Sequence, residues 1–487
     1  MSPSSAASAE SYTPDPRRWR ILATVSIALF MSLVDVSIVN VALPSIQQGL
    51  GASNSDLQWV LSAFALTFGV GLVTAGRAGD LFGRGGLFII GVALFTGVSM
   101  WAGLAGSPLE LNIARALQGL AAGLISPQVI GIVQDYFRGA ERGRAFGIFG
   151  AVVGVSVATG PVLGGLIIAL AGKDAGWRWI FFVNIPVGIV AIVLAAIWLP
   201  KPLLRRAKSS DPDVPQQSRD LDPIGAVLLG LAVLAILFPF VESGGSGLWW
   251  LTLPVGIVIL LGWLSWEKRY RDRGKSPMVD LQIFRVSSFA NGTLIMGLWF
   301  LGMTSIWVLI NLYFQQGIGH SALASGLVGL PSAVCNGLAA LVAGRLVARF
   351  GRKLVIAAIY TGIAGLALTV LVVWLQWLGL VSEWWMLATL IIVGVSQGSV
   401  VSPNQALTLA DVPLSYAGSS GGVVQTVQRI ATAVGIAVVT AIAFAVLQVS
   451  DWSVAFIVGF AVIAVIMGIT LIPAYADLRR RGDKVGL

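Results

Sequence analysis

The chain has 487 residues, 56% of them hydrophobic and only 11% charged, and a mean hydropathy of +0.87 excludes an ordinary water-soluble protein. A formal charge of +9 could point to nucleic acid, but the basic residues are dispersed between apolar runs, which excludes that partner. One cysteine (Cys335) and one histidine (His320) leave no disulfide framework and no thiol metal site.

Residues 1–16 are Ser-rich and polar, and a disordered cytoplasmic tail is expected there. A bilayer demands about 20 apolar residues per helical span. Fourteen such stretches follow, at roughly 21–43, 57–76, 86–106, 109–134, 145–170, 178–199, 223–241, 249–266, 287–313, 323–347, 354–376, 384–410, 418–447 and 452–473. The fold class is therefore an all-α polytopic membrane protein with 14 transmembrane helices. A Pro-rich charged linker (200–222) follows span six, and a second polar linker (267–286) follows span eight. These breaks predict a six-helix bundle over 17–199, two inserted helices over 223–266, a second six-helix bundle over 287–475 and a tail over 476–487.

With the N-terminus placed inside, 27 of the 31 Lys and Arg residues fall on the cytoplasmic side. Lys173 and Arg178 fall outside, and Arg115 and Arg429 fall within spans. Both termini are expected in the cytoplasm. The two bundles also echo each other: GRAGDLFGR (76–84) and GRLVARFGR (344–352) agree at five of nine positions, each after the second helix of its bundle. Parallel repeats of this kind build carriers with a binding site between the halves.

Asp35 is the only acid deep inside an apolar stretch. A charge near mid-bilayer costs roughly 2.5–3.5 kcal/mol on insertion scales, so such groups usually serve a function. Asp35 lies nine residues before Pro44, which is expected to mark the outer end of span one; that is about 13 Å of helix. Arg115 lies six residues into span four, about 9 Å. The two are near one level, and an Asp35–Arg115 ion pair is predicted; the alternative is an Arg115 satisfied by backbone carbonyls alone. Gln118, about one turn along, would orient either partner or a substrate.

Several segments resemble the major facilitator superfamily, in its fourteen-span drug:proton antiporter branch. LVDVSIVNVALPSI (33–46) is similar to the branch's first-helix signature, with Asp35, Asn40 and Pro44 in place. GRAGDLFGR resembles the superfamily's loop between helices two and three, in which Gly76, Asp80, Gly83 and Arg84 would latch one conformation. The basic residue that usually follows this Arg is absent, since Gly85 and Gly86 stand there. Ala348 replaces the acid in the second copy, so only the first is expected to latch. NIARALQGLAAGLISP (112–127) matches the fourth-helix signature at Arg115, Gln118 and Gly119. GVSVATGPVLGG (154–165) resembles the fifth-helix antiporter signature, with Gly160, Pro161, Gly164 and Gly165 forming a packing face and a possible kink. WRWIFFVNIPVG (177–188) is family-typical, and Trp177 and Trp179 read as interfacial anchors.

The resemblance implies a monomeric, proton-coupled exporter in a bacterial cell membrane, with Asp35 and Arg115 as the coupling pair. Its energy source would be the proton gradient, with no cofactor, and its cargo a small hydrophobic compound, cationic ones included. Asn40, Trp59, Gln118 and Arg429 are the candidate cavity residues; Arg429 would face a substrate or a neighbour such as Gln425 or Gln428. Export of an endogenous metabolite (an amino acid, a siderophore or a self-made antibiotic) stays open, as does proton-driven import, against which the fifth-helix signature argues. An enzyme is not expected: no P-loop, GxSxG or HExxH occurs.

Overall fold

A computed structural model describes residues 14–172, 175–204, 221–241, 247–320 and 322–481. Most of the expected N-terminal tail (1–13), most of the first linker (205–220) and the last residues of the tail (482–487) lie outside the described residues. Among the described residues there is no strand, and fourteen helical spans are long and apolar enough to cross a membrane. They are α1 Arg18–Leu50, α2 Ser55–Phe82, α3 Arg84–Leu104, α4 Pro108–Tyr136, α5 Gly139–Ala171, α6 Gly176–Trp198 and α7 Pro223–Phe240. There follow α8 Gly247–Asp272, α9 Ser287–Gly317, α10 Ala324–Phe350, α11 Arg352–Trp377, α12 Glu383–Thr408, α13 Ala417–Leu447 and α14 Trp452–Arg480.

Every expected span is present, and several helices overrun the apolar stretch because polar residues cap them beyond it. Ser53 accepts from the Asp56 backbone N–H while the Asp56 carboxylate accepts from that of Ser53, a reciprocal cap that starts the second helix. Pro44 does not end α1, contrary to expectation. The helix runs through it to Leu50 and stops at Gly51, whose φ of 61° is the left-handed conformation that glycine adopts without strain. A proline removes one backbone hydrogen bond, and membrane helices tolerate that loss when neighbouring groups compensate.

α1–α6 form one half and α9–α14 the other, while α7 and α8 pair with each other and α7 packs on α2 and α13. The halves meet along two seams, α2 with α13 and α5 with α10. Both seams are lined by glycine, since only the missing side chain allows backbones so close. A Cβ on Gly76 would stand 2.3 Å from the Gly418 carbonyl oxygen, and one on Gly344 2.5 Å from that of Gly143. These approaches run no further than Gly422 against Leu72 on one seam and Gly154 against Gly337 on the other. They lie toward the end of the molecule where Arg18 pairs with Glu141 at 2.9 Å and Arg84 with Asp80 and Asp135, here called the basic end. Beyond them α5 turns to α1, with Gly160 and Gly164 facing Ser37 and Ile38. α1 is flanked by α2, α4, α5 and α6, and its Asn40 is exposed. At the basic end the two halves are closed against each other along both seams.

Candidate functional site

The predicted ion pair exists, and it is one side of a closed ring. Arg115 Nη1 donates to Asp35 Oδ2 at 2.5 Å and to Gln118 Oε1 at 2.9 Å, and Nε donates to the Val60 carbonyl at 3.0 Å. Gln118 Nε2 donates to Ser99 Oγ at 2.7 Å. Asn184 Nδ2 donates to Asp35 Oδ1 at 2.8 Å and to the same Ser99 Oγ at 3.3 Å. Five side chains from α1, α3, α4 and α6 thus satisfy one another, with Asp35 at 0% and Arg115 at 1% exposure. The Phe64 ring lies 4.4 Å from Arg115 Cζ and covers the guanidinium. In low dielectric a fully paired network of this kind is rigid, whereas a half-paired one is costly. The alternative, an Arg115 held by carbonyls alone, is set aside, because it uses both kinds of partner.

Asp35 faces the interior of the first half and not the space between the halves. Ser99 and Asn184 complete the ring and were missed from the sequence. Asn184 was legible as the single amide inside an apolar run, but that segment was read for its tryptophans. Of these, Trp179 is exposed as an anchor would be, while Trp177 is fully buried against Phe181, 6.2 Å between centroids, and is a core residue.

At the basic end Asp80 joins the halves. Its Oδ1 accepts from the Gly418 N–H at 2.8 Å and its Oδ2 from the Ser419 N–H at 2.9 Å, at the first turn of α13. A carboxylate there satisfies orphan N–H groups and meets the positive end of the helix dipole. Arg84 donates to Asp80 at 2.7 Å and to the Leu414 carbonyl at 2.9 Å, and it pairs with Asp135. Gly83 has φ 103°, which turns the chain from α2 into α3 and aims Arg84 at this cluster. In the second copy Gly344 packs across the α5–α10 seam, but the arginine at its end turns inward. Arg352 donates to Asp477 at 2.6 Å and to Asn404, all within the second half.

The remaining candidates separate. Asn40 is exposed and bonds only its own helix, Nδ2 to the Val36 carbonyl at 3.1 Å. Trp59 turns toward the inserted pair, its ring 6.4 Å from that of Phe238 on α7. Gln118 belongs to the ring. Arg429 lies in the seam, its Cζ 4.2 Å from the centre of the Phe68 ring. In the fifth-helix segment Gly160 and Gly164 press on α1 beside Asp35, Pro161 sits inside an unbroken helix, and Gly165 meets open space, so it takes no part in the packing.

Duplicated six-helix halves closing over a shared space define a membrane transporter, not an enzyme. The chain belongs to the Major Facilitator Superfamily, whose family model matches residues 25–436. It is similar to the probable actinorhodin transporter of Streptomyces coelicolor, at 31% identity over 89% of this chain and 74% of that one. It is also similar to the tetracenomycin C resistance and export protein of Streptomyces glaucescens, at 30% identity over 87% and 75%. The human organic anion transporter MFSD10 shares the fold, with a TM-score of 0.66 at 15% identity, covering 95% of this chain and all of that one.

Proposed function

We propose that this transporter is a proton-coupled antiporter that exports small hydrophobic compounds by alternating access. The observation that carries the reading is the Asp35–Arg115 pair, the one acid deep inside a span held by the one cation that reaches it among the described residues. With both termini and the basic end in the cytoplasm of a bacterial cell, the conformation described here faces outward. In that state a proton reaching Asp35 neutralises it and frees Arg115, so the contacts that hold α1 to α4 and α6 weaken as substrate leaves. Reorientation lets the proton go to the cytoplasm and the pair re-forms before the next loading. Asp35 needs no direct contact with substrate in this scheme, because α1 also carries the exposed Asn40. Asp80, Arg84, Gly76 and Gly83 act as the latch of the outward-facing state. The protein works as a monomer, with the proton gradient as its energy source and no cofactor.

Relatives named for actinorhodin transport and for tetracenomycin C resistance and export support export of a compound of that kind. A substrate found by drug-susceptibility profiling of an overexpressing strain, with and without an uncoupler, allows the decisive assay. In everted vesicles the parent protein should move protons in response to that substrate. Asp35→Asn should insert to the same level and lose this response. Proton exchange at the parental rate in Asp35→Asn defeats the scheme.

A further inference from the structure

We infer that the transporter recognises anionic aromatic compounds and that Arg429 is the residue that selects them, a reading that rests on the exporter assignment only for the direction of movement. Among the described residues, three charges stand well inside the spans: Asp35, Arg115 and Arg429. The first two neutralise each other inside the first half. Arg429 is half-buried and has no hydrogen bond or ion pair among the described residues; its one contact of this kind is the face of Phe68. A cation at this depth costs roughly 2.5–3.5 kcal/mol. A cation–π contact returns about 0.5–2 kcal/mol. The balance favours a counter-ion, and with Asp35 already engaged by Arg115 and Asn184, the described residues offer none. A cationic cargo would meet an uncompensated like charge, which argues against the cationic compounds that the resemblance includes.

Position supports the same conclusion. Gly418, Gly422, Gln425 and Arg429 follow one another on the face of α13 that meets α2, so Arg429 stands in the seam two turns beyond its last close backbone approach, where the halves are no longer in backbone contact. Its ring contact occupies one face of the guanidinium, leaving in-plane N–H groups that suit the paired oxygens of a carboxylate or sulfonate, or a phenolate. Gln425 is 7% exposed, and its Oε1 has no hydrogen-bond partner, an acceptor suited to a hydroxyl on the same ligand. An aromatic body fits because Phe68 stacks on Phe64 at 6.0 Å and 9°, and Phe64 in turn covers Arg115. The stack from Arg429 through Phe68 and Phe64 to Arg115 joins the anion site to the Asp35 ring.

The test is equilibrium dialysis of the full-length protein in nanodiscs, with empty nanodiscs subtracted and no proton gradient. The probes are anthraquinone-2-carboxylate and the same ring system carrying a 2-trimethylammonium group. The parent should bind the carboxylate at least about tenfold more tightly, a difference of ~1.4 kcal/mol. Arg429→Gln should bind the two probes equally, and Arg429→Lys should keep the preference while losing carboxylate affinity, since an ammonium lacks the paired donors. A merely structural clasp between α2 and α13 would change both probes alike. Binding of neither probe by the parent, a parental preference for the ammonium, an Arg429→Gln variant that keeps the preference, or an Arg429→Lys variant that loses it overturns the proposal. Because no gradient is used, such a failure leaves the vesicle assay standing, and the converse holds.

Discussion

Arg115→Gln is expected to destabilise the protein by about 3–5 kcal/mol, the penalty for leaving one member of a buried ion pair without its partner. Asp35 is wholly buried, and one of its oxygens has Arg115 as its charged partner, so no water takes the vacated place without opening the contacts of α1 with α4 and α6. Adding Asp35→Asn removes the stranded charge, and the double variant should recover most of the loss. Denaturant unfolding of the four proteins in nanodiscs measures the cycle. A coupling near zero would mean that the ring is not what holds the first half in register. The double variant should nonetheless be inactive in transport, because stability and proton exchange are then separated: an amide pair holds the helices but cannot give up or take a charge.

Gly76→Val should keep the basic end from closing. Even a Cβ at this position falls 2.3 Å from the Gly418 carbonyl oxygen, and backbone cannot yield as a side chain would. The α2–α13 seam must part, which also pulls Asp80 from the first turn of α13. Net transport should fall to background while the protein stays folded. The direct measurement uses Val73, 3% exposed and facing Gly422 across the seam one turn inside Gly76, as Val73→Cys in a Cys335→Ser background. Maleimide labelling from the basic side of everted vesicles should rise about tenfold or more in Gly76→Val, a shift of only ~1.4 kcal/mol between closed and open states. Unchanged labelling would show that the seam closes by another route. Asp80→Asn should give a smaller rise, since an amide oxygen still accepts from α13 but carries no charge toward the helix dipole or Arg84.

Hydropathy made the spans legible because a bilayer imposes one length and one composition on every helix that crosses it. Depth counting paired Asp35 with Arg115 for the same reason: rise along a helix is uniform. Rotation is not legible this way. Asp35 and Asn40 are five residues apart, about 140° around the helix, so one faces the ring and the other is exposed on another side of the helix. Trp59 is a cavity candidate by its aromatic character, and its direction toward Phe238 depends on where α7 docks, which no local pattern records. Gly160, Gly164 and Gly165 look alike in the chain, yet only the first two meet α1. Ser99 carries no signal of its own; it matters because Gln118 and Asn184 both arrive at its hydroxyl.

The placement of α7 and α8 makes the two seams unequal. α7 lies along α2 and α13, with Val233 and Leu237 reaching over Gly69 and Val70 over Gly230, so protein and not lipid covers that flank. Among the described residues the α5–α10 seam has no such sleeve, so acyl chains would slide past it whenever the halves rock. Bilayer thickness and headgroup composition should therefore act on this carrier from one side, stiffening or easing the rocking at α5 and α10 while the sheathed flank behaves as a bearing whose friction is set by the chain itself.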